Sequence, residues 1–270
     1  MPGVKVFISA DIEGVAGITA RDEATKGQPG YPAFRAQMDA EVAAACEGAI
    51  AAGATDVVVK DAHGDGRNLS PAALPVPARL IRGYNGHPLA MVQGLDLTFH
   101  AALFVGYHSR AGSGGNPLAH TLSSTKLVGL HLDGEPASEY RLHALAAATL
   151  GVPVVLVTGD RALCDEVEAT VPGCCTVAVS EGAGASTTSM HPRQAVERIR
   201  EAATAALVAP RPAPLPLSGP HRLEVVYRDP SAAFVRAFYP SATLVDGSTV
   251  AFEADDYFEV LRALIFLVGL

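Results

Sequence analysis

Residues 4–14 read VKVFISADIEG. The first six form a short, largely apolar run of the length of a buried strand, and it leads directly into two carboxylates, Asp11 and Glu13. The pattern recurs twice. Residues 55–60 (TDVVVK) lead into Asp61-Ala62-His63-Gly64, and residues 100–106 (HAALFVG) lead into Tyr107-His108. Between the first two runs, Phe34, Met38, Val42, Cys46 and Ala49 recur at spacings of three or four. Pro32 suits a first helical turn and Gly53 a C-terminal stop, so the pattern predicts a helix over 32–52. Further on, 126–133 reads as a strand ending in an Asp-Gly turn, 138–150 as a helix and 152–157 as a strand. A helix follows from 160, then a strand near 175–179 and a helix over 192–207. Strands that alternate with helices require crossover connections. The expected fold class is therefore α/β, with a mostly parallel central sheet flanked by helices.

The pattern changes at residues 209–220 (APRPAPLPLSGP), where five prolines favour an extended linker. Beyond it, 221–228 reads as a strand and 255–270 as an apolar helix. The expected organisation is a catalytic α/β domain at 1–208, a linker at 209–220 and a small C-terminal α+β subdomain at 221–270. In the last helix Phe258, Leu261, Leu264, Ile265, Leu267 and Val268 cover more than one stripe, which suits burial on several sides, within the subunit or against another.

Composition removes several function classes. Of 270 residues, 49% are hydrophobic and 18% charged, which supports a packed core. The net charge of −8 and the lack of a Lys/Arg tract argue against nucleic acid as a partner. Apolar runs such as 263–270 fall far short of the ~20 residues that span a bilayer. The N-terminus reaches acidic residues too early for a signal peptide. Cys46, Cys164, Cys174 and Cys175 form no CxxC pair, so the expected setting is reducing and cytoplasmic. There is no P-loop, no GxGxxG after the first strand, no nucleophile elbow and no HExxH. The glycine-rich stretch 112–117 (GSGGNP) could cradle an anion or form a flexible turn.

In open α/β sheets, ligands bind beyond the carboxyl ends of the strands. Three strand ends would bring Asp11, Glu13, His63 and His108 to one edge of the sheet. Two carboxylates and two imidazoles make a nitrogen–oxygen donor set suited to Zn²⁺, with Mn²⁺ or Co²⁺ also possible. Like charges at Asp11 and Glu13 repel unless a cation lies between them, which is a physical reason to expect metal. Taken singly, an Asp at a strand end is a common turn or helix cap, and a single His is a common core or surface residue. His87, His100, His131, His143, His191 and His221 have no evident partners and read that way.

At these residues the chain resembles the M55 family of D-aminopeptidases. Residues 9–14 (SADIEG) match the family's SxDxEG motif. The resemblance continues in Asp61-Ala62-His63-Gly64, Gly106-Tyr107-His108, His120-Thr121, residues 133–160 and residues 248–256, in order along nearly the whole chain. It implies a binuclear zinc site, two ions per chain, held by Asp11, Glu13, His63, His108 and Glu139, with His120 as an additional catalytic residue. Where the family reads NGxxxGE this chain reads DGEPASE, so Asp133 and Ser138 depart from the pattern; Glu135 competes, but Glu139 keeps the spacing. The resemblance further implies removal of the N-terminal residue from short peptides, such as the dipeptide D-Ala-D-Ala, and a homo-oligomer, a ring-stacked decamer.

On this expectation His120 either donates a proton to the leaving amine or stabilises the oxyanion. The apolar residues of 83–93 are candidates for the pocket wall, and Arg67 and Asn68 for binding a peptide carboxylate. Two other functions remain open: a metal-dependent amidohydrolase acting on a non-peptide amide, and a non-enzymatic metal-binding assembly protein.

Overall fold

The computed structural model describes residues 3–269. It begins with β1 (Val4–Ala10), whose alternate side chains enter two separate cores: Val6, Ile8 and Ala10 face one way, Phe7 the other. A short helix α1 (Arg21–Ala24) and the long α2 (Tyr31–Ala51) lead into β2 (Ala54–Asp61) and the edge strand β3 (Arg79–Ile81). The chain then returns to the other side of β1 as β4 (Ala101–Tyr107). β5 (Leu127–Leu132), β6 (Glu135–Pro136) and α3 (Glu139–Thr149) follow, then β7 (Val154–Asp160), α4 (Arg161–Thr170), β8 (Cys175–Ala183), β9 (Ser186–Ser189) and α5 (Pro192–Val208). The C-terminal part supplies β10 (His221–Tyr227), α6 (Pro230–Arg236), β11 (Ala242–Leu244), β12 (Thr249–Ala254) and α7 (Tyr257–Leu264), which ends in a π-helical turn at Ile265–Gly269.

The first sheet has the order β3-β2-β1-β4-β7-β8-β9 and is parallel except for the β8–β9 hairpin. α2 and α5 cover one face and meet at Gly48, where an added Cβ would lie 2.4 Å from the Arg200 carbonyl oxygen. α3 and α4 contribute to the core on the other face. The expected α/β class with a mostly parallel, helix-flanked sheet is the one found. Strand order reverses at β1, with β2 on one side and β4 on the other. That is the switch point at which such sheets open a crevice at their carboxyl ends.

The second sheet is antiparallel, with order β11-β12-β10-β5-β6. It spans the expected division at 209–220. β5 and β6 lie ahead of that segment, yet β5 pairs with β10 beyond it, so the sheet is not built from 221–270 alone. Leu127, Leu130 and Leu132 of β5 and Leu223 and Val225 of β10 share one buried core with α3 and α7. Residues 209–220 themselves carry no helix or strand, as their prolines predict. The apolar C-terminal helix packs Tyr257, Val260, Leu261 and Leu264 inward, and Leu267 and Val268 continue that face. Leu270, the last residue of the expected helix, lies outside the described residues, as do Met1 and Pro2.

One buried acid makes the fold pH-sensitive. The Glu41 carboxylate in α2 accepts hydrogen bonds from the Ala16 backbone N–H and from Gln37 Nε2, both at 2.8 Å and both on one oxygen, while its second oxygen has no partner. Burial pushes its pKa up from an ordinary 4.5 to about 7. The folded state therefore holds this proton more tightly than the unfolded chain between those limits. Stability is lost as pH rises through the window, by about 3 kcal/mol in all. Glu41→Gln removes the slope. Denaturant unfolding is expected to find the variant gaining that amount relative to the wild type between pH 4.5 and 7, and parallel stability curves would contradict it.

Candidate metal centre

The segment after β1 is locked before any side chain is placed. The Asp11 N–H donates to the Val105 carbonyl (2.9 Å), the Gly14 N–H to the Gly106 carbonyl (2.9 Å), and the Ala62 N–H to the Ala10 carbonyl (2.8 Å). Gly14 is required by close approach, because a Cβ there would lie 1.7 Å from the Tyr107 carbonyl oxygen. Gly106 adopts φ +71°, a conformation that favours glycine, and a Cβ there would meet the Asp11 carbonyl at 2.4 Å. These contacts hold the ends of β1, β2 and β4 side by side. The loop 112–117 acts as a brace: Asn116 Nδ2 donates to the Glu13 carbonyl (3.0 Å) and to Asp160 Oδ2 (3.1 Å).

Six side chains converge on the crevice as two triplets, Asp11–Glu13–His63 and His108–His120–Glu139. His63 Nδ1 lies 3.2 Å from Asp11 Oδ1 and 3.0 Å from Glu13 Oε2. His108 Nε2 lies 3.6 Å from Asp11 Oδ2 and 3.6 Å from Glu139 Oε2. His120 Nε2 lies 3.7 Å from Glu139 Oε1. Asp11 thus offers one oxygen to each triplet. Glu139 arrives from the first turn of α3, which Ser138 caps by accepting from the Arg141 N–H. The Leu122 N–H steadies Glu139 Oε1 at 2.7 Å.

Backbone carbonyls orient all three imidazoles. His63 Nε2–H donates to Ala24 (2.7 Å), His108 Nδ1–H to Ser109 (3.0 Å) and His120 Nδ1–H to Leu118 (2.8 Å). Each bond commits one ring nitrogen and turns the opposite one toward the cluster, the usual support for a metal-binding histidine. Ser109 is itself held by its N–H on Asp160 Oδ2 (2.7 Å).

The electrostatics demand positive charge. Burial, reinforced by Glu13, pushes the Asp11 carboxyl up to about 7. Burial also opposes ionisation of Glu13 and Glu139, but the neighbouring imidazoles outweigh it: His63 holds Glu13 well below the usual range, and His108 brings Glu139 down to about 2. Against its own burial, His108 is raised to about 10 by Glu139 and Asp11, and His63 is raised by Glu13 and Asp11. His120 goes the other way, lowered by burial and by His108, on which it stacks at 4.4 Å. Glu13 Oε2 and His108 Nε2 are buried, face the cluster and have no hydrogen-bond partner. A set of oxygen and imidazole donors with orphaned atoms turned inward fits a divalent metal.

A cavity of about 310 Å³ opens over the cluster. Tyr84, Ala90 and Met91 form part of its wall, so the 83–93 region does line it. Arg67 and Asn68 do not. Arg67 is paired with Asp65 at 2.8 Å, and buried Asn68 closes its own loop through Asp61 and the His63 carbonyl. Among the histidines set aside from sequence, His221 pairs with Asp133 (3.0 Å) and His143 Nδ1 meets the Glu139 carbonyl (2.7 Å). Sequence reasoning missed Arg21 as a wall residue and the bracing role of Asn116, since only the fold brings them to the crevice.

The model of the M55 peptidases, described as D-aminopeptidase, matches residues 4–266. The chain belongs to the M55 D-aminopeptidase family. A D-aminopeptidase of Bacillus subtilis (strain 168) is 30% identical over 273 residues, covering 99% of this chain and 97% of that protein. A solved structure of the Zn-dependent D-aminopeptidase DppA from Bacillus subtilis, described as a self-compartmentalizing protease, is similar at 28% identity. That similarity has a TM-score of 0.90 over 99% of this chain and 97% of that one. As an M55 member the chain is a metallo-aminopeptidase. The four cysteines are free, and no helix of the described residues is long and apolar enough to cross a membrane.

Proposed function

We propose that this M55 enzyme binds two zinc ions per chain and releases the N-terminal D-residue of short peptides, with dipeptides such as D-Ala-D-Ala as the substrate class. The observation that carries this reading is the pair of triplets joined by Asp11. In the proposal Asp11, Glu13 and His63 hold one ion, Asp11, His108 and Glu139 the other. Bound ions would polarise the scissile carbonyl and lower the pKa of water toward neutrality. The buried carboxylates attract the substrate's free α-amine, which fits an aminopeptidase.

His120 is proposed as the proton carrier. Its Nδ1–H is committed to the Leu118 carbonyl, so neutral His120 presents only a lone pair at Nε2. It can take a proton there and pass it to the leaving amine; it can stabilise an oxyanion only after protonation. The self-compartmentalizing relative and the exposed Phe234, Val235 and Phe238 of the α6 region support a homo-oligomer, the decamer being the proposed form. Four free cysteines fit a cytoplasmic setting.

The test is elemental analysis joined to an assay on stereochemically paired dipeptides. About two zinc atoms per chain are expected, with D-Ala-D-Ala hydrolysed and L-Ala-L-Ala hydrolysed slowly. Chelation should abolish turnover, and zinc should restore it. One ion or none, or activity confined to non-peptide amides, would replace this reading with the amidohydrolase or assembly alternatives.

A further inference from the structure

Two arginines converge on one residue at the mouth of the metal cavity. Arg21 Nη1–H donates to Ser124 Oγ at 2.7 Å, and Arg228 Nε–H donates to the Ser124 carbonyl at 3.2 Å. Neither guanidinium lies within 4.0 Å of a carboxylate among the described residues, although the chain as a whole carries a charge of −8. Neither makes another side-chain hydrogen bond to the described protein. Two like charges brought to one residue repel, and an anion placed between them reverses the sign of that interaction. The remaining N–H groups of both forks are suited to a carboxylate.

The position matters as much as the charge. Arg21 and Ser124 line the cavity that holds Asp11, Glu13 and Glu139, and every acidic residue in that wall belongs to the cluster. An adjoining cavity of about 130 Å³ is lined by Arg21, Ser124 and His120 together with Arg228. His120, Arg21 and Ser124 line both cavities, so acidic and basic groups share one continuous opening. A free dipeptide has that same pattern, an ammonium at one end and a carboxylate one residue beyond the scissile bond, with successive Cα atoms about 3.8 Å apart.

The geometry points to Arg21 and Arg228 as a carboxylate subsite that recognises the C-terminus of a dipeptide substrate. This rests on the aminopeptidase reading above and deepens it. The subsite replaces Arg67 and Asn68, whose polar groups are already engaged. A C-terminal amide would offer no charge.

The experiment compares D-Ala-D-Ala with its C-terminal amide on the zinc-loaded enzyme. The wild type is expected to favour the free acid in kcat/KM by about 10–100-fold, the range of hydrogen bonds to charged groups, chiefly through KM. Arg21→Ala and Arg228→Ala should each collapse that ratio, and Arg21→Lys should restore part of it. A ratio near one in the wild type, or variants that lower both substrates equally, would overturn the subsite while leaving the aminopeptidase reading intact. Hydrolysis of neither substrate would defeat that reading instead. Calorimetry then decides the subsite independently: a reduced-amide dipeptide analogue should bind more tightly as the acid than as the carboxamide, by the same factor, and equal binding would refute it.

Discussion

Asp11→Asn is expected to bring the zinc content from about two ions per chain to about one and to lower kcat/KM by ~10³-fold or more, a loss of about 4 kcal/mol of transition-state stabilisation. The direction follows from the two carboxylate oxygens. Asp11 Oδ1 accepts from the Ile12 N–H at 2.9 Å and faces His63. An asparagine keeps its carbonyl oxygen there, because the backbone donor requires an acceptor. Its amide nitrogen then occupies the place of Oδ2, which lay 3.6 Å from His108 Nε2, and turns N–H groups where a metal would need a donor atom. An amide N–H₂ is no metal ligand, so the His108–Glu139 side should lose its ion first. The metal-free variant should unfold at a higher denaturant concentration than the metal-free wild type, since one of three crowded buried carboxylates has gone. Elemental analysis and a denaturant titration read both effects. Two ions retained at wild-type affinity would show that Asp11 does not join the two sites.

The part of this centre that was legible in sequence is the part that the sheet delivers. Asp11, Glu13, His63 and His108 each follow a strand of ordinary apolar pattern, and the rule that open sheets bind at their carboxyl ends brings them together. Glu139 was different. It sits in the first turn of a helix, where a glutamate is ordinary, and only the family resemblance singled it out. Its burial and its contact with the Leu122 N–H exist only once α3 is folded against the first sheet. Arg21 opens the four-residue α1 and Tyr84 lies in a loop, and no local pattern specifies the path of either.

The limits of the fold reading have the same cause. β1, β2, β4 and β7 at the centre of the first sheet are largely buried on both faces and read as apolar runs, so the sequence pattern places them within a few residues. β3 and β11 have three residues each and β6 two, too short for a period to register. The second sheet is non-local: β5 pairs with β10 across roughly ninety intervening residues, as in Leu132 beside Leu223. The Asp-Gly turn after β5 was visible, and Asp133 in it adopts φ +56°, but the partner strand beyond the proline-rich segment was not deducible from it.

Replacing His120 by alanine decides between two roles that its geometry allows. His120 Nε2 is near enough to Glu139 to complete the second triplet as a ligand. Several observations favour proton transfer. Its side chain is 13% exposed and lines the cavity, whereas that of His108 is wholly buried. Burial and the adjacent His108 lower its pKa, so it favours the neutral form that can accept a proton. It stacks on His108 with the rings 15° from parallel, an arrangement that aims its edge while leaving His108 to face Asp11 and Glu139. The expected result for His120→Ala is a fall in kcat of about 10²–10⁴-fold, the range for a general acid–base group, with zinc content and KM for D-Ala-D-Ala close to wild type. Added imidazole should recover part of the rate, because the deletion leaves space beside Glu139 and an open cavity above it. If the variant instead loses one zinc, His120 is a ligand and the proton must be carried by another group.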